Sequence, residues 1–287
     1  MQYEIIYVPY TPNSKKDCPK CGGKKTLTLF MNRLTGEVYP DTFGTCDRQE
    51  SCGYNNRPKR TTRTSKEVIK PTPPKPIDYI DIQEVINREL EGNNHFFTFL
   101  RGCIGTDGLN HVKMKYRLGT SIEHSKFVAF PQIDEKGRCR QIKEMLYDPK
   151  TGKRKKIKGA QRWAFEKFRY PNLNLEQCFF GSHLIAGNEK PIALVESEKT
   201  ALICSYFIPD YIWLATGCLT MLTPQRCAFL KGRKLILYPD KGKAFAIWKM
   251  KAAKIKGTAS ITVSDYLETK SEVKEGDDLA DLILKKL

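Results

Sequence analysis

Residues 191–199, PIALVESEK, decide the fold, because an apolar run there ends in acidic residues and leads directly into a helical pattern. Residues 191–196 are predicted to form a buried strand, and residues 199–207 the helix that follows it. The same alternation continues along the chain, with strands predicted at 212–217, 234–240 and 260–263 and helices at 223–230, 244–256 and 279–287. Short apolar strands that alternate with amphipathic helices predict a parallel sheet with right-handed crossovers.

Carboxylates at the ends of two of these strands form the first candidate site. Glu196 ends the first strand and Asp240 ends the third, and open parallel sheets bind ligands beyond the C-terminal ends of their strands. Carboxylates beside cations suit a hard divalent ion and phosphate groups, so the pattern favours Mg²⁺- or Mn²⁺-dependent nucleotidyl or phosphoryl chemistry. The neighbouring cations are Lys199, Lys231, Arg233 and Lys241. Alternatively, Glu196 and Asp240 are acids favoured by the dipoles of the following helices.

Period-two alternation upstream predicts a β-hairpin, with strands at 127–134 and 138–147 joined by the turn 135–137. The hairpin and the loop after it are densely basic, which predicts contact with a phosphate backbone. A solvated basic loop is the alternative for residues 153–158. The basic residues are Arg138, Arg140, Lys143, Lys150, Lys153, Arg154, Lys155, Lys156 and Lys158. Helical spacing predicts further helices at 77–92, 95–103 and 110–118.

Four of the ten cysteines form a metal-binding pattern. Two residues separate Cys18 from Cys21, and Cys46 and Cys52 form a second pair that is also followed by glycine. Residues 26–39 between the pairs predict a short hairpin, so four thiolates would face one another across a small sheet, as structural zinc requires. The spacing before Cys52 is wider than the roughly two to four residues usual in zinc sites. Two disulfides are the alternative, which a reducing compartment disfavours.

Composition narrows the class of protein. Among 287 residues, 40% are hydrophobic and 28% charged, which fits a globular protein and excludes fibrous and low-complexity classes. No apolar run reaches ~18 residues and no signal-peptide pattern opens the chain, so we expect a cytoplasmic protein without a membrane partner.

The net charge of +17 is unevenly distributed. Residues 1–76 carry 14 basic and 7 acidic side chains, residues 101–169 carry 18 and 7, and residues 170–287 carry 16 and 13. This distribution predicts that the first 170 residues contact nucleic acid, although a solubility device or a membrane-surface patch would also be basic.

These patterns predict a mixed α/β fold with four segments. They are a zinc ribbon (1–54), a basic, Pro-rich linker (55–76), an α+β basic subdomain (77–188) and a parallel α/β domain (189–287).

Three motifs in the last segment resemble the Toprim domain shared by bacterial DnaG-type primases, topoisomerases and some nucleases. They are residues 195–201 (VESEKTA), 214–217 (LATG) and 237–242 (LYPDKG). Residues 127–138 (FVAFPQIDEKGR) resemble the strand-turn-strand in the basic half of the DnaG-type catalytic core. A zinc ribbon precedes that core in those primases, as it does here. The small size and the divergence of the motifs suggest a primase-like protein of a mobile element or phage.

The resemblance implies template-directed synthesis of short RNA primers on single-stranded DNA from ribonucleoside triphosphates. Glu196 and Asp240 would be catalytic and hold Mg²⁺, and the ribbon would engage the template. The implied nucleic-acid or nucleotide contacts are Arg138, Arg140, Lys143, Lys199 and Lys241. A replicative helicase or a relaxase would act in trans, because the sequence shows neither a Walker-type loop nor a helicase-binding domain.

One departure bears on catalysis. The family's Asp-x-Asp motif is Asp240-Lys241-Gly242 here, so one carboxylate is missing. Asp277, Asp278 and Asp281 are the candidates to replace it, or they cap the final helix. Two other functions therefore stay open: a catalytically inactive Toprim scaffold that binds single-stranded DNA in replication or mobilisation, and a Toprim nuclease, which the ribbon and basic core disfavour.

Overall fold

The structure is a computed structural model that describes residues 5–33, 35–48, 51–58, 76–81, 93–166 and 169–287. The chain divides into two compact units, Met1–Lys75 and Pro76–Leu287. The predicted mixed α/β class is confirmed, since a small antiparallel unit is followed by a unit with one antiparallel and one parallel sheet.

The first unit is a five-stranded antiparallel sheet. Its strands are β1 (Ile5–Tyr7), β2 (Lys15–Lys16), β3 (Leu27–Asn32), β4 (Gly44–Cys46) and β5 (Asn55–Asn56). The order is β1-β3-β4-β5, and β2 also pairs with β3. The predicted hairpin forms at its turn, where Met31 bridges Val38. Beyond that single bridge, β3 pairs over three residues with β4. This pairing buries Leu27 and Leu29 and brings Cys46 to the sheet.

The second unit begins with a helix and an antiparallel sheet. Helix α1 (His95–Tyr116) starts at the Asn94 cap. Its helical geometry is interrupted at Gly105, where φ is 71°, so the two segments of α1 correspond to the two predicted helices. The strands of the sheet are β6 (Gly119–Thr120), β7 (Val128–Ile133), β8 (Cys139–Met145) and β9 (Gln161–Trp163). They lie in the order β6-β7-β8-β9. The predicted hairpin is confirmed as β7 and β8.

The second sheet of this unit is entirely parallel, as predicted. Its strands are β10 (Ile192–Val195), β11 (Ile212–Ala215), β12 (Lys234–Leu237) and β13 (Ser260–Val263), and its order is β11-β10-β12-β13. The helices are α2 (Glu198–Phe207), α3 (Lys243–Ala252) and α4 (Leu279–Leu284). After β10 the chain forms β11 on one side of β10, and it then crosses back past β10 to form β12 on the other side. The direction of the connections therefore reverses between β10 and β12.

Both sheets share one hydrophobic core. Phe130 of β7, Val195 of β10 and Trp213 of β11 belong to the same buried cluster, together with residues of α1, α2 and α4. A second cluster covers the other face of the parallel sheet, where Trp248 of α3 is fully buried. The predicted boundary between residues 188 and 189 stays a prediction, since the two sheets belong to one compact unit.

Two predicted helices are corrected. In the helix predicted at 77–92, residues 77–81 are not helical, and Ile80 instead bridges Cys139 of β8. Residues 82–92 of that helix lie outside the described residues. Residues 59–75 of the predicted linker lie outside them as well. The helix predicted at 223–230 is wrong, although the Thr223 hydroxyl accepts a hydrogen bond of 3.3 Å from the Arg226 N–H, as the predicted cap would. The Thr223 carbonyl accepts one helical bond from Cys227, but the bonds that follow span three residues and form only the 3-10 turn Ala228–Leu230. Burial of Leu222, Cys227 and Leu230 in the second cluster fixes this tighter path.

Candidate metal centres

The four predicted zinc ligands lie together in the first unit. The sulfurs of Cys18, Cys21, Cys46 and Cys52 all lie within 4.8 Å of one another. Two tight turns present them: Gly22 donates to the Cys18 carbonyl, while Cys52 and Gly53 both donate to the carbonyl of Arg48. The wide spacing before Cys52 therefore still ends in a turn that directs its sulfur to the cluster.

The dimensions of this cluster fit tetrahedral zinc. The Cys18–Cys52 and Cys21–Cys46 sulfurs lie 3.7 and 3.9 Å apart. Zinc–sulfur bonds of about 2.3 Å give a tetrahedron with edges of about 3.8 Å. Burial, followed by contacts with the other three cysteines, raises the pKa of the Cys52 thiol to about 11. A bound zinc ion would offset the cost of deprotonating this thiol, because zinc binds the thiolate form, so the thiolates and the ion would stabilise each other.

The two predicted catalytic carboxylates follow neighbouring strands. Glu196 comes directly after β10, and Asp240 comes three residues after the end of β12, which pairs with β10. This is the point where the connections reverse, and in open α/β sheets such a point forms a ligand-binding crevice. Glu196 lies at the strand end where the sequence predicts it, whereas Asp240 lies past the end of β12, and the strand order brings the two close together.

Two of the three additional acids join this group. Asp278 caps α4, and its carboxylate also accepts a hydrogen bond of 2.7 Å from the Thr200 hydroxyl. Asp281 lies 3.2 Å from the ammonium of Lys199. Although burial alone would lower it, the pKa of Lys199 is raised by Asp278 and Asp281. Lys199 therefore keeps its charge among the acids.

Asp277 takes a different partner from its two neighbours in sequence. Its carboxylate accepts a hydrogen bond of 2.8 Å from Lys285 on an exposed side of α4, and this bond lowers the pKa of Asp277. Asp277 is thus held as an anion by a surface ion pair, while Asp278 and Asp281 interact with the strand-end carboxylates.

Asp240 carries the strongest electrostatic signal of the group. Burial, followed by the charges of Asp278, Glu196 and Asp281, raises its pKa to about 8, against the opposing effect of Lys199. Burial likewise raises the pKa of Glu196, which Lys143 opposes. Carboxylates that repel one another in this way are stabilised by a divalent cation, which replaces the proton.

The segment after Asp240 has glycine at the position of the second acid of Asp-x-Asp. Gly242 has φ of 92°, a backbone conformation that strains any other side chain, and the Glu275 carboxylate lies where its Cβ would point. Its N–H donates to Glu268. The ammonium of Lys241, a predicted nucleotide contact, donates instead to the carbonyls of Lys270 and Val273, at 2.6 and 2.9 Å.

A cavity of about 440 Å³ opens onto the acids. It is lined by the carboxylates of Glu196, Asp277, Asp278 and Asp281, here called the acidic wall, and by the side chains of Lys153, Arg154 and Lys156, here called the basic wall. Asp240 is not among its lining residues. Within the described ranges the three exposed cations of the basic wall form no ion pair, whereas Lys155 beside them pairs with Asp148 at 2.6 Å. Asp148 also accepts bonds from the Lys150 and Thr151 N–H groups, which hold the loop in shape.

The other predicted nucleic-acid contacts have internal partners. Arg138 and Arg140 both donate to the buried carboxylate of Asp134, at 2.9–3.0 Å, and both lie over the ring of Tyr79. Lys143 forms a buried ion pair with Glu198, at 2.9 Å. Sequence reasoning missed both carboxylate partners. Asp134 lies in the same hairpin, four residues before Arg138, whereas Glu198 begins α2 and is far along the chain from Lys143.

A divalent-ion site at the acids would differ in kind from a zinc site at the cysteines. Among the described residues, the cysteines are the one group of three or more metal-ligating side chains gathered closely enough to hold an ion. Mg²⁺ commonly uses only one or two carboxylates and completes its shell with water and substrate phosphates. Glu196 and Asp240 fit that requirement.

Comparisons with known proteins agree with the arrangement of the chain. A family model described as "Domain of unknown function (DUF6371)" matches residues 94–241, and a model for a zinc beta-ribbon finger matches residues 3–67. No curated protein matches in sequence.

No helix in the described part of the chain is long and apolar enough to cross a membrane.

Several solved structures of primases are similar to the chain. The primase fragment of the bacteriophage T7 primase-helicase is 11% identical, with 98% of this chain and 96% of that chain covered and a TM-score of 0.46. The RNA polymerase domain of Mycobacterium tuberculosis primase DnaG is 14% identical, with 71% and 76% covered and a TM-score of 0.47. The Aquifex aeolicus primase, with zinc-binding and RNA polymerase domains, is 14% identical, with 72% and 57% covered and a TM-score of 0.48.

Proposed function

The chain belongs to the family described as Domain of unknown function (DUF6371), and we propose that it is a Mg²⁺-dependent nucleotidyltransferase that synthesises short RNA primers on single-stranded DNA. One observation carries this proposal: a single cavity is lined both by carboxylates at the end of the parallel sheet and the start of α4, and by cations that form no ion pair within the described residues. Within the acidic wall, Glu196 belongs to a Toprim-like motif of the sequence.

The carboxylate group beside the cavity would hold the metal. Glu196 and Asp240 would be the ligands, and Asp278 and Asp281 add negative charge around them. When bound, Mg²⁺ or Mn²⁺ orients a triphosphate and stabilises charge on the departing pyrophosphate. Lys199, held by Asp278 and Asp281, keeps a positive charge beside the same phosphates.

The basic wall would bind the phosphates. Lys153, Arg154 and Lys156 are exposed and face the cavity from a loop that is fixed at its base, where Gly152 lies against the ring of Phe99. Because the loop is held in place, these side chains need little ordering to bind an anion. A nucleoside triphosphate that carries a divalent cation matches both walls at once.

The first unit would contact the template. Its described surface carries exposed Tyr7 and Tyr10 beside Lys15, and aromatic rings together with cations bind single-stranded nucleic acid by stacking and charge attraction. The proposed partners are therefore single-stranded DNA and ribonucleoside triphosphates, with a helicase or a relaxase supplied by another protein of the cell, mobile element or phage.

The decisive experiment is a primer-synthesis assay. Purified protein with a single-stranded template, ribonucleotides and Mg²⁺ should produce short RNA oligomers, and Glu196→Gln should abolish them while the fold is unchanged. Asp277→Asn, at a carboxylate already paired with Lys285, is the matched control and should remain active. If the wild type and Glu196→Gln yield the same products, the assignment of the active site is wrong.

A second function is favoured by one observation, the filled position at Gly242. If the missing carboxylate prevents catalysis, the protein would be a single-stranded-DNA-binding factor of replication or mobilisation. Salt-sensitive binding of single-stranded DNA, without any Mg²⁺-dependent product, would support that function. Degradation of the template in the same assay would instead indicate a nuclease.

A further inference from the structure

A buried ion pair joins the antiparallel sheet to the parallel sheet beside the cavity. The ammonium of Lys143, on β8, lies 2.9 and 3.1 Å from the two carboxylate oxygens of Glu198 and 3.0 Å from the carbonyl oxygen of Gly217. Only 4% of the Lys143 side chain and 3% of the Glu198 side chain are exposed. The three acceptors match the three donors of an ammonium, so its hydrogen bonding is complete.

Both partners of Lys143 are tied to the backbone of Glu196. Glu198 begins α2 only two residues after Glu196. Gly217 follows β11, and its N–H donates to the Glu196 carbonyl at 2.8 Å, while its own carbonyl accepts from Lys143. Lys143 thus holds the acidic wall through two neighbouring loops.

The other end of this connection is the basic wall. Lys143 lies on the strand that leads into the loop with Lys153, Arg154 and Lys156, and Leu146, directly after β8, bonds back to Ala160 at the far end of that loop. The strand that carries the ion pair therefore also carries the cations. A buried ion pair contributes little to stability compared with apolar residues of similar size, so stability alone does not account for it.

We propose that Lys143 and Glu198 are positioning residues that fix the acidic wall of the cavity against the basic wall, at the separation that a metal–polyphosphate ligand spans. This role rests on the proposed function, because it concerns the same site. It differs from the direct nucleic-acid contact that the sequence predicts for Lys143. Neither residue needs to touch the ligand, since they act through Glu196 and through the loop after β8.

The test compares the binding of inorganic tripolyphosphate with the binding of its Mn²⁺ complex, measured by calorimetry on the full chain. In the wild type, the Mn²⁺ complex should bind more tightly than tripolyphosphate alone, because it engages both walls. In Lys143→Met/Glu198→Met this gain should fall about tenfold, a typical coupling between two sites. The affinities for Mn²⁺ alone and for tripolyphosphate alone should stay near those of the wild type, because each wall is intact.

The double variant carries the test because Lys143→Met alone leaves a buried unpaired carboxylate that can prevent folding. Ile142→Ala is the matched control. Ile142 is adjacent to Lys143 on β8 and is buried on the opposite face of the strand, so its replacement by alanine destabilises the sheet without touching the ion pair. It should lose thermal stability and keep the gain in affinity.

Two results would separate the proposals. A double variant that keeps the full gain, or an Ile142→Ala variant that loses it equally, would overturn the positioning role and leave the proposed function standing. A wild-type protein that binds the Mn²⁺ complex no more tightly than tripolyphosphate would overturn the proposed site, and the positioning role with it.

Discussion

The cysteine cluster of the first unit and the carboxylate group of the second are built on opposite plans. The four sulfurs converge within 4.8 Å, and they come from two turns and from the end of β4. The acids come from two strands and a helix cap, and Asp278 and Asp281 already bind Thr200 and Lys199. The cysteines can close a metal site alone, whereas the acids leave room for an ion that the substrate completes.

Removal of the cysteine site should have the largest effect. Cys46→Ser, at a fully buried ligand in the centre of the cluster, should unfold the first unit, because structural zinc contributes about 10–16 kcal/mol of apparent binding free energy in small zinc domains. Zinc content by atomic absorption and backbone amide NMR would measure the loss.

The second unit provides the control for this experiment. All three tryptophans, Trp163, Trp213 and Trp248, lie in it, so their fluorescence reports that unit alone. The tryptophan unfolding curve of Cys46→Ser should match the wild type, and Cys218→Ser, at an exposed cysteine outside the cluster, should change neither measurement. Amide protection of the first unit that survives the loss of zinc would contradict the prediction.

The carboxylate site should show a smaller effect of opposite sign. The pKa of Asp240 is about 8 in the folded chain and near 4 in an unfolded one, so the folded chain binds one more proton between these values. Without divalent ions, stability should therefore fall as pH rises from 4 to 8. Because each unit of pKa difference corresponds to about 1.4 kcal/mol, Asp240→Asn should be several kcal/mol more stable than the wild type at pH 9 and equal to it near pH 4.

Mn²⁺ binding supplies the second half of that test. The wild-type affinity should rise with pH up to about 8, because Mn²⁺ displaces the Asp240 proton, and then become constant. Asp240→Asn should bind Mn²⁺ more weakly and lose this dependence. A wild type whose stability and Mn²⁺ affinity are both flat across pH 4–9 would show that Asp240 is an ordinary surface carboxylate.

The two sites also differ in how far sequence could predict them. The cysteines and Glu196 could be predicted because their signals are local: spacing in a turn, and the position directly after an apolar strand. Asp240 is predicted at a strand end and lies three residues past β12. Lys143, on β8, and Glu198, at the start of α2, lie 55 residues apart, and Lys241 is bound by carbonyls about 30 residues away. Those pairings depend on tertiary packing, so a basic residue that resembled a phosphate contact proved to be an internal one.

The smallest effect is expected where the acids divide into two groups. Asp277 and Asp278 are adjacent, yet Asp277 faces Lys285 at the surface while Asp278 caps α4, bonds to Thr200 and repels Asp240. Asp277→Asn should leave both the unfolding midpoint and the Mn²⁺ affinity at wild-type values, because exposed ion pairs contribute little. Asp278→Asn should weaken Mn²⁺ binding by calorimetry, since it removes a negative charge from the acidic wall. Equal losses in the two variants would mean that the acids act as one diffuse field, and the distinction between a closed thiolate site and an open, residue-specific carboxylate site would then fail.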